Sequence, residues 1–447
     1  MDTEAAVEHL ARAVEISESR FRRWSIPRPI SFWISGAVAF LAFAANAAAS
    51  PLYALYQAQF RFTAVTLTIL FAVYVLALVV TLLFIGSLSD YVGRRRVIIV
   101  GLAASVIACV MFLLADGIGL LFAARALQGV GVGLLSGAAG AALLELRPKG
   151  RIAPLVASAA PTGGQALGAL GASVLAQYAP LPTHLVWWLL LAAFIAAILA
   201  VWKVPEPGTL RPGALASLRP RASVPPQVRG AFAAALPCLV GVWALGGLYL
   251  SLGPSLAAQL THSHNLLWGG VLIFLLTGLG AKVSAAFQKS DPSRVMLGGC
   301  VALSVGAVVT WAAINTNTAW VLFVGTGVAG SGFGPAFSGA YRSVVSLAPP
   351  RDRAGVITAV YIVCYVATAV PAVAGGIATS VYGLHETALV YSVAVAALAA
   401  AAVAASLHRL RGVADPKRKA RDADTPPGPC TVPPCFPPTR RPRAVGQ

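Results

Sequence analysis

Long apolar runs separated by short polar breaks dominate the chain from Phe32 onward. A helix needs roughly 20 apolar residues to cross ~30 Å of hydrocarbon, and about twelve runs reach that length. They are predicted at 32–56, 64–87, 97–115, 119–145, 152–177, 184–203, 231–253, 266–288, 294–314, 319–345, 354–381 and 387–408. One break is long: 204–230, rich in Pro and Arg, divides the runs into two sets of about six. The pattern predicts an all-α integral membrane protein built as two six-helix bundles, 32–203 and 231–409. A cytoplasmic tail, 1–31, precedes them, and a disordered, basic, Pro-rich tail, 410–447, follows.

Composition agrees with a membrane solvent. The 447 residues are 58% hydrophobic and 11% charged, with a mean hydropathy of +0.78, whereas soluble domains are about 25% charged. The net charge of +18 would otherwise point to nucleic acid, but its distribution makes it a topology signal. The segments on one side, alternate breaks with the adjoining run ends and the two tails, hold 31 of the 33 lysines and arginines. The other breaks hold only Arg61, and Arg125 falls inside a run. Basic residues concentrate on the cytoplasmic side, so both termini are expected there, in a multi-pass protein of the inner (plasma) membrane. The N-terminal tail carries Glu4, Glu8, Glu15 and Glu18 among its arginines and lacks the apolar core of a signal peptide.

The two sets of runs look like copies. Gly129, Gly131 and Gly133 recur as Gly330, Gly332 and Gly334, and Pro51 near the end of run 1 has a counterpart in Pro254. A parallel repeat of six-helix bundles is one large transporter architecture. Within it, Gly86-Ser-Leu-Ser-Asp90-Tyr-Val-Gly93-Arg94-Arg95 forms a polar island between runs 2 and 3. The chain from Phe32 to Arg409 resembles the major facilitator superfamily, whose signature in this loop is Gly-x-Leu-x-Asp-x-x-Gly-Arg-Arg. The resemblance implies a charge network of Asp90, Arg94 and Arg95 between runs 2 and 11 that stabilises one state of an alternating cycle. Gly86 would let the helices approach, and Tyr91 stands where the family usually has a cation.

A second match, Arg125-Ala-Leu-Gln128-Gly129-Val-Gly131, is similar to the Arg-x-x-Gln-Gly-x-Gly run of the same superfamily, and implies a proton or substrate relay through Arg125 and Gln128. An arginine within hydrocarbon costs at least ~2.5 kcal/mol without a partner. The alternative is that Arg125 snorkels to the headgroups or meets Asp116. Gly129, Gly133 and Gly137 share a helix face for close packing, as do Gly163, Gly164, Gly168 and Gly171 in run 5. Ala160-Pro161 before the latter loosely matches a pattern of drug/proton antiporters. A Gly-x-Gly-x-x-Gly string at Gly325 lies inside an apolar run, without the strand that a dinucleotide site requires.

Polar and aromatic residues within the runs are candidates to line a central cavity: Asn46, Tyr74, Gln165, Trp243, Tyr361 and Tyr365, with Tyr53 and Tyr249 serving either there or in an interfacial belt. The acids outside the tails, Asp90, Asp116, Glu145, Glu206, Asp291, Asp352 and Glu386, all fall in breaks or at run ends. No mid-membrane carboxylate is available to titrate, which leaves the coupling ion open. Cys109, Cys238, Cys300 and Cys364 lie in runs as small apolar residues, and Cys430 and Cys435 match no zinc pattern. No cofactor, metal or nucleic acid is expected, and an enzyme would need convergent acids or histidines that the runs lack. The expectation is a monomeric secondary active transporter of a small organic molecule, with proton-coupled efflux of drugs or metabolites ahead of a facilitator or importer of sugars or organic acids. A non-transporting sensor or a membrane enzyme ranks lower.

Overall fold

In the computed structural model, residues 26–86, 88–146, 152–206, 223–349 and 352–414 are described. The expectations for the N-terminal tail, most of the linker and the C-terminal tail with Cys430 and Cys435 lie outside them. The described residues form fourteen helices and no strand. In the first bundle these are α1 (Arg28–Phe60), α2 (Ala64–Ile85), the short α3 (Ser89–Val92), α4 (Arg94–Leu113), α5 (Ile118–Glu145), α6 (Ile152–Tyr178) and α7 (Leu185–Trp202). The second comprises α8 (Pro226–Ser251), the short α9 (Gly253–Thr261), α10 (Leu267–Ala286), α11 (Pro292–Asn315), α12 (Ala319–Val345), α13 (Arg353–Tyr382) and α14 (Leu384–Ala414). Eleven are long and apolar enough to cross a membrane. The twelfth long helix, α6, has 27 residues and runs unbroken, with Pro161 inside it.

Helix ends depart from the apolar runs where capping overrides hydropathy. Prolines open helices because their missing N–H is not needed there, and α8 therefore begins at Pro226, five residues before its run at 231. Likewise α4 starts at Arg94, directly after Gly93. The matched prolines behave differently. Pro51 sits within a continuous α1, whereas the second copy breaks at Leu252 and restarts with Pro254 in the first turn of α9.

Glycines set the helix spacing, and they do so in parallel in the two bundles. A Cβ on Gly129 would strike the Tyr74 carbonyl on α2, and one on Gly330 the Leu275 carbonyl on α10. Gly133 faces Thr81, and Gly334 faces Gly280 and Ser284. In α6, Gly164 and Gly168 lie against the α1 backbone at Phe40 and Ala44. Gly171 meets nothing within 4 Å and Gly163 only Phe40 at 3.8 Å, so the expected packing face is narrower than the string of glycines. Gly137 approaches the Gly86 carbonyl, at 3.4 Å from a hypothetical Cβ, where α5 passes the end of α2.

The bundles each centre on a buried apolar cluster, and that of the first reaches across to Leu250, Ile273, Tyr365 and Ala372 of the second. They join along two seams, α2 with α13 and α6 with α10. At the face opposite the polar segment 86–95 between runs 2 and 3, called loop 2–3 below, the seams are tightly closed. Gly376 on α13 leaves no room for a Cβ beside Thr68 of α2, nor does Gly270 on α10 beside Ser173 of α6. There the Leu266 N–H donates to the Gln177 Oε1 at 2.9 Å, and Asn265 donates to the Tyr178 hydroxyl at 3.2 Å.

Candidate functional site

Arg125 is fully buried in α5, at 0% exposure. It neither snorkels nor meets Asp116. Its Nη1 donates to the Gln128 Oε1 at 2.5 Å, one turn along the same helix face, and Gln128 Nε2 in turn donates to the Ala45 carbonyl of α1 at 3.0 Å. The guanidinium carbon lies 4.5 Å from the ring centre of Tyr74 and 5.6 Å from that of Tyr53. Two ring faces thus partly replace the water that a cation loses on burial. Nε and Nη2 of Arg125 have no hydrogen-bond partner, and neither do the Tyr53 hydroxyl and Asn46 Oδ1, which are also buried.

The second bundle holds an instructive counterpart. Arg125 precedes Gly129 by four residues, and Thr326 precedes Gly330 by four. Thr326 is also fully buried, but its hydroxyl pairs with that of Tyr249 at 3.0 Å, which also lies 3.4 Å from Thr310. There the repeat closes its polar groups on one another. In the first bundle it leaves them open. Tyr53 and Tyr249 are each 1% exposed, so both are interior residues rather than interfacial anchors.

An aromatic ladder from the second bundle adjoins this cluster. Tyr365 of α13 is buried in the same apolar cluster as Tyr74, and its ring centre lies 4.9 Å from that of Trp243 on α8. Trp243 meets Phe337 at 5.4 Å, and Tyr361 lies 6.1 Å from both Tyr365 and Tyr341. The Trp243 Nε1 is buried without a hydrogen-bond partner. Of the cavity candidates, Asn46, Tyr74, Trp243, Tyr361 and Tyr365 therefore lie in or against this central region. Gln165 is half-buried on α6, which packs between α1 and α10. Phe337 and Tyr341 were absent from the candidates, although their i, i+4 spacing mirrors that of Tyr361 and Tyr365.

Loop 2–3 forms a second polar centre. Gly93 has φ 110°, a region that favours glycine, and a Cβ there would also stand 2.8 Å from the Glu206 Oε2. Glu206, just after α7, receives the Arg94 N–H at 2.5 Å and the Arg95 N–H at 3.3 Å, capping α4 where the helix dipole favours an anion. The Arg94 side chain pairs with Asp90 and Ser89 and bridges Glu145 at the end of α5, Nη2 at 3.0 Å and Nε at 3.5 Å. Arg95 donates to the Val204 carbonyl at 3.3 Å.

The sequence profile of the Major Facilitator Superfamily matches residues 35–290. The chain belongs to this superfamily. It is also similar to an uncharacterized MFS-type transporter of Mycobacterium tuberculosis, 38% identical over 80 residues, which are 18% of this chain and 14% of that protein. Membership makes the protein a secondary transporter in general terms and supports a multi-pass membrane protein. The superfamily signature in loop 2–3 points to Asp90, Arg94 and Arg95, but Ser89, Glu145 and Glu206 carry no motif of their own. Only the fold brings them to the arginines.

Proposed function

We propose that the protein moves a small organic molecule across the inner (plasma) membrane by alternating access, as a monomer with both termini in the cytoplasm. The observation that carries this reading is the buried, unsatisfied polar cluster around Arg125, next to a junction between two bundles that is closed at one face. A buried polar group without a partner costs about 1–3 kcal/mol, and a site for a passing ligand is one reason to retain it. In this reading the cytoplasmic network of Asp90, Arg94, Glu145 and Glu206 holds the first bundle together as it rocks, and Arg125 and Gln128 contact the cargo. Proton-coupled export of drugs or metabolites is the leading version, supported by the resemblance of the loop 2–3 and Arg125–Gln128 motifs. A second reading, a facilitator or importer of organic acids, is favoured by one observation: a buried cation with no carboxylate to balance it among the described residues.

Efflux from a pump-deficient bacterial host tests the leading version, comparing the protein with Asp90→Asn with and without a protonophore. Extrusion by the wild type that falls several-fold in the variant at equal expression, and is abolished by the protonophore, is the expected result. Unchanged accumulation across a broad panel despite good membrane expression would turn the reading to uptake, measured in proteoliposomes.

A further inference from the structure

We infer that the cargo, in the transport reading above on which this rests, is an organic monoanion: a carboxylate on a planar apolar body, its carboxylate received by the Nε–Nη2 edge of Arg125. A guanidinium offers a carboxylate parallel N–H groups in a fixed fork. Gln128 occupies Nη1 of Arg125 and is itself tied to the Ala45 carbonyl, so the side chain is held in place with its Nε and Nη2 donors open. The same chain contains a filled example of this edge. On Arg94, Nε and Nη2 are the atoms that meet the two oxygens of Glu145. Arg125 presents the same pair, fully buried, to no acid.

The surroundings complete the fit. The Tyr53 ring flanks the guanidinium, and its hydroxyl lies beside Arg125, where it would adjoin a bound carboxylate. Tyr74 and Tyr365 share one buried cluster, and from Tyr365 the ladder continues through Trp243, Tyr361 and Phe337. Aromatic faces favour a flat apolar body through offset or edge contacts, and the free Trp243 Nε1 offers one further donor on the second bundle. A ligand spanning Arg125 and Trp243 would touch both halves. A cation is disfavoured, because Arg125 would repel it and no carboxylate of a described span interior would receive it. The anion also explains how the span interiors manage without an acid: the cargo supplies the counter-charge on each visit.

Full-length protein in lipid nanodiscs, titrated calorimetrically with benzoate, cinnamate and 2-naphthoate and with the carboxamide of each, tests the assignment. The expected result is a carboxylate bound at least ~30-fold more tightly than its amide, the order of a buried charge-assisted pair. Arg125→Gln should erase that preference, and Arg125→Lys, which keeps the charge but loses the fork, should restore part of it. Equal affinity for acid and amide in the wild type, or no binding of any carboxylate, overturns the inference without recourse to a variant that could misfold. Proteoliposome counterflow of the same compounds separates the two claims. Carboxylates that bind without exchanging leave the inference standing and remove the transport reading, whereas exchange of amides or amines in preference to acids does the reverse.

Discussion

Arg94 and Arg125 offer the same edge of a guanidinium to opposite surroundings. Arg94 stands at a helix start, half-buried, with its Nε and Nη2 on Glu145, its Nη1 on Asp90 and Ser89, and its backbone N–H on Glu206. Arg125 is wholly buried, with one amide partner and two aromatic faces, and its Nε and Nη2 are bare. The first arginine is a fastener whose partners all come from the chain. The second keeps two buried donors unpaired by the chain, at a cost in stability. Charge satisfied from within holds structure, and a buried charge left unpaired by the chain is the feature on which the proposed binding of a ligand rests.

The largest test of that contrast exchanges each arginine for methionine, which keeps much of the length and removes the charge. For Arg125→Met, binding of the aromatic carboxylates should fall by about 30-fold or more, while thermal stability in detergent rises. Removing an unbalanced buried charge returns a penalty of a few kcal/mol, less about 1 kcal/mol for the Gln128 oxygen that loses its donor. Arg94→Met should move the melting midpoint down instead, by an amount equivalent to about 1 kcal/mol, discounted because Glu145 and Asp90 are about one-third exposed. The sign is the measurement. If both substitutions lower the midpoint equally, Arg125 is a structural residue and the contrast fails.

Much of the frame behind these two sites was legible in the sequence, because hydropathy and glycine spacing act locally. The apolar runs located all twelve long helices, and the four-residue spacing of Gly129, Gly133 and Gly137 marked the face of α5 that lies on α2. Arg125 and Gln128 were readable as a pair, since i and i+3 meet on any helix. What stayed hidden depends on tertiary approach. Glu145 is 51 residues from Arg94 and Glu206 is 112, and no local signal links them. Gly171 has the right spacing but no neighbour, because a small residue permits close packing without causing it. The break of the second bundle at Leu252, against the unbroken passage of α1 through Pro51, likewise depends on context that a proline alone does not reveal.

A middle-sized effect is expected where loop 2–3 meets the segment after α7. Glu206→Ala removes the cap on α4 and should cost about 0.5–2 kcal/mol. Gly93→Ala forces a Cβ onto a positive-φ backbone (φ 110°, ψ 138°) at about 1–3 kcal/mol and pushes it against the Glu206 carboxylate. In the double variant that clash disappears, so the combined loss should be smaller than the sum of the two, by about 0.5 kcal/mol or more. Strict additivity in a thermal-stability cycle would mean that Glu206 does not hold the loop in solution.

The smallest effect separates the arginines by their exposure to salt. Raising ionic strength from about 0.1 to 1 M shortens the Debye length from ~10 to ~3 Å. Glu145, with 32% of its side chain exposed, feels that change, and Arg125 at 0% exposure is insulated from it. Glu145→Gln should therefore lower the melting midpoint slightly at low salt, by less than the equivalent of ~1 kcal/mol, and the difference from wild type should shrink at high salt. The difference between wild type and Arg125→Met should persist at both. A salt-sensitive Arg125 difference would place water beside its guanidinium, and an open site there would then need no ligand to satisfy it.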